Sequence, residues 1–318
     1  MTFTRRAALL ATGLAIPAAR AATWPERPVR IICPFGAGGA GDAIARLVQP
    51  RMAEALGQPV IVENRSGAGG TIGAMAVAQA PADGYTVLED SANHAVSNLL
   101  FKLPVDYATA FAPVGLLTIQ PYVWCVATAD PSRDVADYVA RMRGRANALT
   151  FGTPGSGSTG HIAGEAMRQA TDLRLEHIPY RSGAEAARDL ATGALDAACI
   201  TLASAAPVVQ SGRFRVLAQT GARRSGVAAD IPTFAEAGFA CDVTSWTGLF
   251  VPAAVPQAAI LRLNAALRHA LGHEATRQAL VGAGFEPAGS SVEQFAQLVE
   301  RDRGALGRVV RAGGMAVN

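Results

Sequence analysis

The sequence predicts an α/β protein of two domains built on mainly parallel sheets. Short β-rich runs alternate with helical stretches along most of the chain, which is typical of successive βαβ units. The chain has 318 residues, and a single domain usually takes ~100–200 residues. Half of the residues are apolar, so two large cores can be buried.

The first 21 residues predict export. Arg5 and Arg6 precede an apolar run that ends in the small-x-small sequence Ala19-Arg20-Ala21, the layout of a signal peptide. We expect cleavage near Ala21 and a periplasmic protein, with the general and twin-arginine routes both open. Loss of three arginines reduces 28 basic residues to 25, which equals the 25 acidic residues. No basic excess then remains to favour nucleic acid as a partner.

The strands are predicted as short apolar or β-branched runs bounded by Gly, Pro, Asn or Asp. In chain order they cover residues 29–35, 60–63, 85–88, 123–126, 149–151, 174–178, 197–200 and 215–218. A helix over residues 42–56 follows the first strand, with a kink near Pro50. Pro256 opens an amphipathic helix with apolar residues at helical spacing. Ser291 and Gln294 form a capping box for a last helix that runs towards Arg311.

The four cysteines are Cys33, Cys125, Cys199 and Cys241. The first three lie in apolar runs, where an isolated cysteine usually behaves as a small buried hydrophobe. An exported protein can also form a disulfide, and the spacing decides neither way. With no C-x-x-C pair and no Cys/His cluster in the sequence, we expect no metal.

Three turns between a strand and a helix are rich in glycine and small hydroxyl residues. They span residues 35–42, 63–70 and 151–161. A helix N-terminus has unpaired amides and a positive dipole end, so it favours an anion. Glycine allows the backbone to approach the bound group closely. Such turns line the ligand crevice of α/β sheets, so the sequence predicts an anion-binding cleft.

An exported dinucleotide-dependent oxidoreductase is the alternative. Gly36, Gly38 and Gly41 match G-x-G-x-x-G, and Glu63 stands about 20 residues on, where an acid binds a ribose. This hypothesis leaves the third glycine-rich turn unexplained. We therefore favour solute binding and expect no cofactor.

Two further patterns resemble catalytic motifs without completing them. The sequence from Ser156 to Gly160 lacks the first glycine of G-x-S-x-G. His269 and His273 lack the H-E-x-x-H order of a zinc protease. We expect no enzyme.

The motifs taken together resemble the extracytoplasmic receptors of tripartite tricarboxylate transporters, the Bug family. The resemblance runs from Trp24 through most of the remaining chain and rests on an ordered set of segments. These are residues 24–28, 34–42, 62–70, 82–86, 151–161, 177–181, 230–238 and 246–249.

The resemblance implies a periplasmic binding protein fold of type II. Residues 22–123 and 247–318 would form the first domain and residues 124–246 the second, joined by two hinge crossings near Val123 and Trp246. A small carboxylate would be captured by hinge closure: a di- or tricarboxylate, an acidic amino acid or an aromatic acid. The protein would act as a monomer and deliver its solute to the permease subunits; a sensor or scavenger outside transport stays open.

The resemblance also implies which residues hold the solute. It points to Ala37, Gly38, Gly39 and Asp42 in the first domain, and to Thr153, Gly157, Ser158 and His161 in the second. Asn93 and His94 would contact the distal end of the solute. Many relatives have a proline or a larger residue in place of Gly36 and a hydroxyl residue in place of Gly41, so here either the first turn would be looser or the cavity slightly larger.

Two charged residues have competing interpretations from their chemistry. Asp42 could orient a bound water, but it also stands where a helix N-cap is expected, which we favour. Arg181 could pair with a second carboxylate or remain solvated.

Overall fold

The computed structural model describes residues 24–316. The predicted signal peptide, residues 1–21, therefore lies outside the described residues. Among residues 24–316, none of the helices is both long and apolar enough to cross a lipid bilayer.

The first sheet has six strands, which come from the N-terminal and C-terminal parts of the described chain. Its members are β1 (Val29–Cys33), β2 (Val60–Asn64), β3 (Thr86–Ser91), β4 (Phe111–Gln120), β10 (Ser245–Pro252) and β11 (Glu286–Pro287). Their order in space is β11-β4-β10-β3-β1-β2. Strand β1 runs parallel to β2 and β3, whereas β10 runs antiparallel to β3 and β4.

The second sheet has five strands from the middle of the chain. They are β5 (Tyr122–Ala127), β6 (Leu149–Thr153), β7 (Leu175–Pro179), β8 (Ala197–Thr201) and β9 (Phe214–Gln219). Their order is β7-β6-β8-β5-β9. Strand β6 is parallel to β7 and β8, and β5 is antiparallel to β8 and β9.

The two sheets share one topology. The chain passes from the first to the second between Gln120 and Tyr122, and it returns between Gln219 and Ser245. Strands β5 and β10 begin at these crossings, and each is antiparallel to both of its neighbouring strands. The α/β class is confirmed, but the sheets are mixed rather than mainly parallel, because each contains such a reversed strand.

The helices cover the sheets and connect their strands. They are α1 (Ala40–Leu56), α2 (Thr71–Ala78), α3 (Ser97–Leu100), α4 (Tyr107–Ala110), α5 (Val135–Met142), α6 (Thr159–Thr171), α7 (Gly183–Thr192), α8 (Leu202–Gln210), α9 (Gln257–Gly272), α10 (Glu274–Gly282) and α11 (Val292–Ala312). Pro50 lies inside α1, α9 follows Pro256, and α11 has the predicted capping box of Ser291 and Gln294.

Apolar packing joins the two sheets on the side of α11. One buried cluster contains Trp246 and Phe295 from the first half of the fold together with Trp124 and Phe151 from the second. Trp246 also donates a buried hydrogen bond of 2.7 Å to Asp302 on α11. Separate clusters fill the outer face of each sheet. A shared core on one side leaves the two sheets free to enclose a cleft elsewhere.

Candidate ligand-binding cleft

A cleft lies between the two sheets and is lined by residues of both. Its empty space, including the open mouth, is about 690 Å³, within the usual range for small-molecule sites. The first half of the fold contributes the turn after β1, the ends of β3 and β4, and the start of β10. The second half contributes the start of α7 and the junction of β8 with α8.

The wall from the first half is built on the N-terminus of α1. Gly39 occupies the N-cap position and has no side chain to cap the helix, so amides of the first turn are available to a bound group. Gly38 has a φ of 77°, a left-handed conformation that glycine adopts readily. Gly36, Gly38, Gly39 and Gly41 all line the cleft, while Ala37 is an exposed neighbour in the same turn.

Asp42 holds this turn in place from inside the helix. Its carboxylate accepts hydrogen bonds of 2.9 Å from the Gly38 amide and from Arg46. Burial raises the pKa of Asp42, but these hydrogen bonds outweigh burial and lower the pKa overall. The N-cap interpretation of Asp42 is wrong, because α1 begins two residues earlier, at Ala40.

The opposite wall is formed by two capped helix N-termini. The Ser182 side chain caps α7 by accepting from the Glu185 amide, and Thr201 caps α8 by accepting from the Ser204 amide. Ser182, Thr201 and Ser204 line the cleft together with Arg181. The predicted residue Arg181 is exposed, and it is the one Lys or Arg among the described lining residues.

The third glycine-rich turn lies beside the cleft, which it reaches through Pro154. Ser158 caps α6 by accepting from the His161 amide, and the Gly157 amide donates to His161 Nδ1 at 3.1 Å. Thr153 is fully buried and pairs with His177 Nε2 at 2.6 Å. The polar groups of this turn thus bond largely to other groups of the turn and to His177.

The rings of His161 and His177 stack at 3.7 Å between centroids. Burial lowers the pKa of His161 to about 4. Burial, together with the neighbouring His161, lowers the pKa of His177 to about 3. Both imidazoles are therefore neutral at pH 7, so His161 would recognise an anion as a hydrogen-bond donor rather than as a cation.

Asn93 and His94 lie behind the cleft rather than in its wall. Both are buried. Asn93 accepts a hydrogen bond from the hydroxyl of Ser91, which lines the cleft. His94 stacks on Phe250 at 4.0 Å between ring centroids and pairs with Asp90 at 2.9 Å. The structure thus brings Gly38, Gly39 and Arg181 to the cleft, and it places these two residues one layer away.

Sequence reasoning missed several polar residues near strand ends and one at the start of α8. These are Glu89, Ser91, Gln120, Thr201, Ser204 and Ser245. Glu89 carries an unusual feature: it is 2% exposed, yet it lines the cleft and its Oε2 atom has no hydrogen-bond partner in the described chain. An acidic pair, Glu89-Asp90, that ends an apolar strand is the sequence feature that could have indicated it.

Glu63, the acid that the dinucleotide hypothesis requires, does not line this cleft. Its carboxylate lies 3.6 Å from Arg30 and 3.2 Å from Arg65. The described residues also contain no group of three or more His, Cys, Asp or Glu side chains placed to hold a metal ion.

The family model described as "Tripartite tricarboxylate transporter family receptor" matches residues 44–315. A UPF0065 protein from the tcbD-tcbE intergenic region of Pseudomonas sp. strain P51 is 33% identical over 300 residues, which cover 93% of this chain and 89% of the relative. Protein BugT of Bordetella pertussis is 31% identical over 287 residues, which cover 89% and 87% of the two chains.

Solved structures give the same result. R. palustris Rpa4515 with adipate is 33% identical, with a TM-score of 0.86 over 92% of this chain and 100% of that one. MatC (Rpa3494) from Rhodopseudomonas palustris with bound malate is 30% identical, with a TM-score of 0.83 over 90% and 100%. The periplasmic binding protein BugD is 28% identical, with a TM-score of 0.84 over 92% and 100%.

Proposed function

This chain belongs to the tripartite tricarboxylate transporter receptor family, and from that premise we propose that it captures a small carboxylate between its two sheets and delivers it to a membrane permease. One observation carries the proposal. The uncapped first turn of α1, with its glycine turn, forms one wall of the cleft, and Arg181 with the start of α7 forms the other. Both walls favour a negatively charged guest.

Two solved relatives support the class of guest. Rpa4515 is described with adipate and MatC with bound malate, and both guests are small dicarboxylates. In the proposed complex the first-turn amides of α1 bind one carboxylate, and Arg181 pairs with the second. The third turn supports the wall through Pro154, and His161 donates from its Nε2–H when the turn rearranges around the guest.

Capture then requires the two halves to move about their connections. We propose domain boundaries at the two crossings, near Pro121 and just before Ser245, close to the predicted positions. Bringing the walls together around a guest is the hinge closure typical of two-domain binding proteins. A permease that recognises the closed form would receive only loaded protein. Export with cleavage near Ala21 would place the chain where such a permease can meet it.

Binding is tested by thermal shift and calorimetry with adipate, malate, succinate, glutamate and a benzoate. A tight guest raises the unfolding midpoint by mass action. Arg181→Ala should weaken binding of a dicarboxylate by about 10–100-fold, because a hydrogen bond to a charged group contributes about 1.5–3 kcal/mol. Arg188→Ala is the matched control, since Arg188 is an exposed arginine of α7, the helix that follows Arg181, and it does not line the cleft. No shift with any acid would refute the proposal.

Delivery needs a separate measurement. Cells that lack the gene for this chain should take up the identified acid more slowly than the parent, and the intact gene should restore uptake. A chain that serves sensing or scavenging would bind the acid equally well but leave uptake unchanged.

A further inference from the structure

Glu89 is the acidic residue among the described lining residues of the cleft, and its carboxyl group is buried there. It stands in β3 opposite Leu249 of β10, and β1 lies on the other side of β3. The residue is 2% exposed, and its Oε2 atom has no partner among the described residues. A buried polar atom without a partner is costly, so this oxygen is available to a group that enters the cleft.

The first turn of α1 packs against this carboxyl group at Gly41. A Cβ atom at Gly41 would lie 2.7 Å from the Glu89 carboxyl carbon, so any larger residue at position 41 would displace the group. Glu89 therefore lies directly against the first helical turn, where the proposed guest carboxylate binds. The two groups would be neighbours in the complex.

The charged groups around Glu89 disfavour a second negative charge. Asp90 follows it on β3 and Asp42 faces it from α1, and both raise its pKa. The Cys33 thiol on β1 acts in the opposite direction and lowers the pKa of Glu89. Arg46 is engaged with Asp42. Strand β10 contributes Gly248 and Leu249 opposite, neither of which titrates. Burial, and then the charge of Asp90, raise the pKa of Glu89 from 4.5 to about 8. At pH 7 the group is mostly the neutral acid.

We propose that Glu89, as a neutral carboxylic acid, donates a hydrogen bond to an anionic oxygen of the guest and thereby selects for anions in a proton-linked way. This inference rests on the proposed function and specifies the chemistry of its site. The protein atom that contacts the guest is the Glu89 hydroxyl, and the bond is of the short, charge-assisted kind. Ionisation of Glu89 removes the donor and places two anions side by side.

The proposal predicts the pH dependence of affinity. Since the guest binds the protonated form, affinity is nearly constant below the pKa and falls tenfold per pH unit above it. With a pKa of about 8, affinity for an acid such as adipate should fall roughly tenfold between pH 7 and pH 9. Adipate itself is fully ionised over that range.

The decisive experiment measures adipate binding by calorimetry at pH 7, 8 and 9 in three proteins; malate replaces adipate if it binds more tightly. The wild type should lose affinity as calculated. Glu89→Gln keeps an N–H donor that does not titrate, so its affinity should change less than twofold over this range. Glu176→Gln, at an exposed residue of β7, should follow the wild-type profile. A Glu89→Gln variant that still loses tenfold would overturn the proposal.

A second measurement needs no variant. At pH 8.5 about three quarters of Glu89 is ionised in the free protein, so binding should take up about 0.8 proton, measured in buffers of different ionisation enthalpy. Proton release on binding would overturn the proposal and indicate a cationic partner for Glu89. The proposal would also be overturned if 6-aminohexanoate bound more tightly than adipate and lost its affinity in Glu89→Gln, because its ammonium group would then be the partner of an ionised Glu89.

The binding measurements separate carboxylate capture from the role of Glu89. If no acid of the panel binds, the proposed function fails. If an acid binds with an affinity that is independent of pH and without proton uptake, the function stands and the role of Glu89 is refuted.

Discussion

Replacement of Glu89 by glutamine tests the buried acid in the ligand-free protein. The folded chain holds the Glu89 proton up to a pKa of about 8, whereas an unfolded glutamic acid releases it near 4.5. The native state therefore binds more protons than the unfolded state between these values, and stability falls as the pH rises through that window. The glutamine variant carries no such group, so the difference between the two proteins isolates the effect.

The magnitude follows from the two pKa values. Each pH unit between 4.5 and about 8 lowers wild-type stability relative to Glu89→Gln by about 1.4 kcal/mol, to a total of up to roughly 5 kcal/mol. Above pH 8 the difference is constant. At pH 5 the two proteins should have similar free energies of unfolding, and at pH 8.5 the variant should be the more stable.

Urea unfolding at pH 5, 6.5, 7.5 and 8.5, with equal m values required of both proteins, measures this difference. Glu176→Gln, exposed on β7, is the control and should stay parallel to the wild type. A Glu89→Gln variant whose stability relative to the wild type is the same at pH 5 and pH 8.5 would show that Glu89 ionises normally, and the reasoning about its burial would be wrong.

Three further predictions concern other parts of the fold. Gly248→Ala should lower the free energy of unfolding by about 1–3 kcal/mol through overpacking, because its Cβ would lie 2.7 and 2.8 Å from ring atoms of Phe295. Its control is Gly282→Ala, which has open space around it and should change the free energy of unfolding in urea by less than about 0.5 kcal/mol. All four cysteines are free and buried, and burial raises the pKa of each thiol, so a thiol reagent should label none in the native protein and four in urea; rapid native labelling would contradict the packing. The pKa values of His161 and His177 are lowered to about 4 and about 3, so the unfolded chain takes up protons before the folded one and stability should fall as the pH drops below 6.5. His177→Gln should reduce that loss of stability in thermal unfolding. If the loss is unchanged in this variant, other groups cause it.

The elements of this fold were predictable because their patterns are local. The strand runs at Val29 and Val60 and the capping box at Ser291 need no knowledge of tertiary structure, and the structure confirms them. The reversed strands were not predictable in this way. Strand β10 inserts between β3 and β4 because the chain returns from the second sheet, and no local pattern in residues 245–252 encodes that neighbour.

The candidate site was predictable in part for the same reason. Glycine-rich turns that precede helices can be recognised in the sequence, and the first of them does line the cleft. Ser245, Thr201 and Gln120 are single polar residues at strand ends, and only the crossings between the sheets bring them together. The third turn reaches the cleft only through Pro154, because the Thr153 hydroxyl pairs with His177 and the His161 imidazole accepts from the Gly157 amide.

Glu89 links stability to function in this molecule. An apolar residue in the same buried strand would avoid the cost of up to roughly 5 kcal/mol that the ionised acid imposes above pH 8. Position 41 would then also be open to residues larger than glycine, which Glu89 excludes. A cost confined to one residue of a binding cleft is characteristic of a functional group rather than of a packing element. An anionic guest that accepts a hydrogen bond from the protonated Glu89 gives this unpaired group a partner. The residue that destabilises the unliganded protein at high pH is therefore the same residue that contacts the guest.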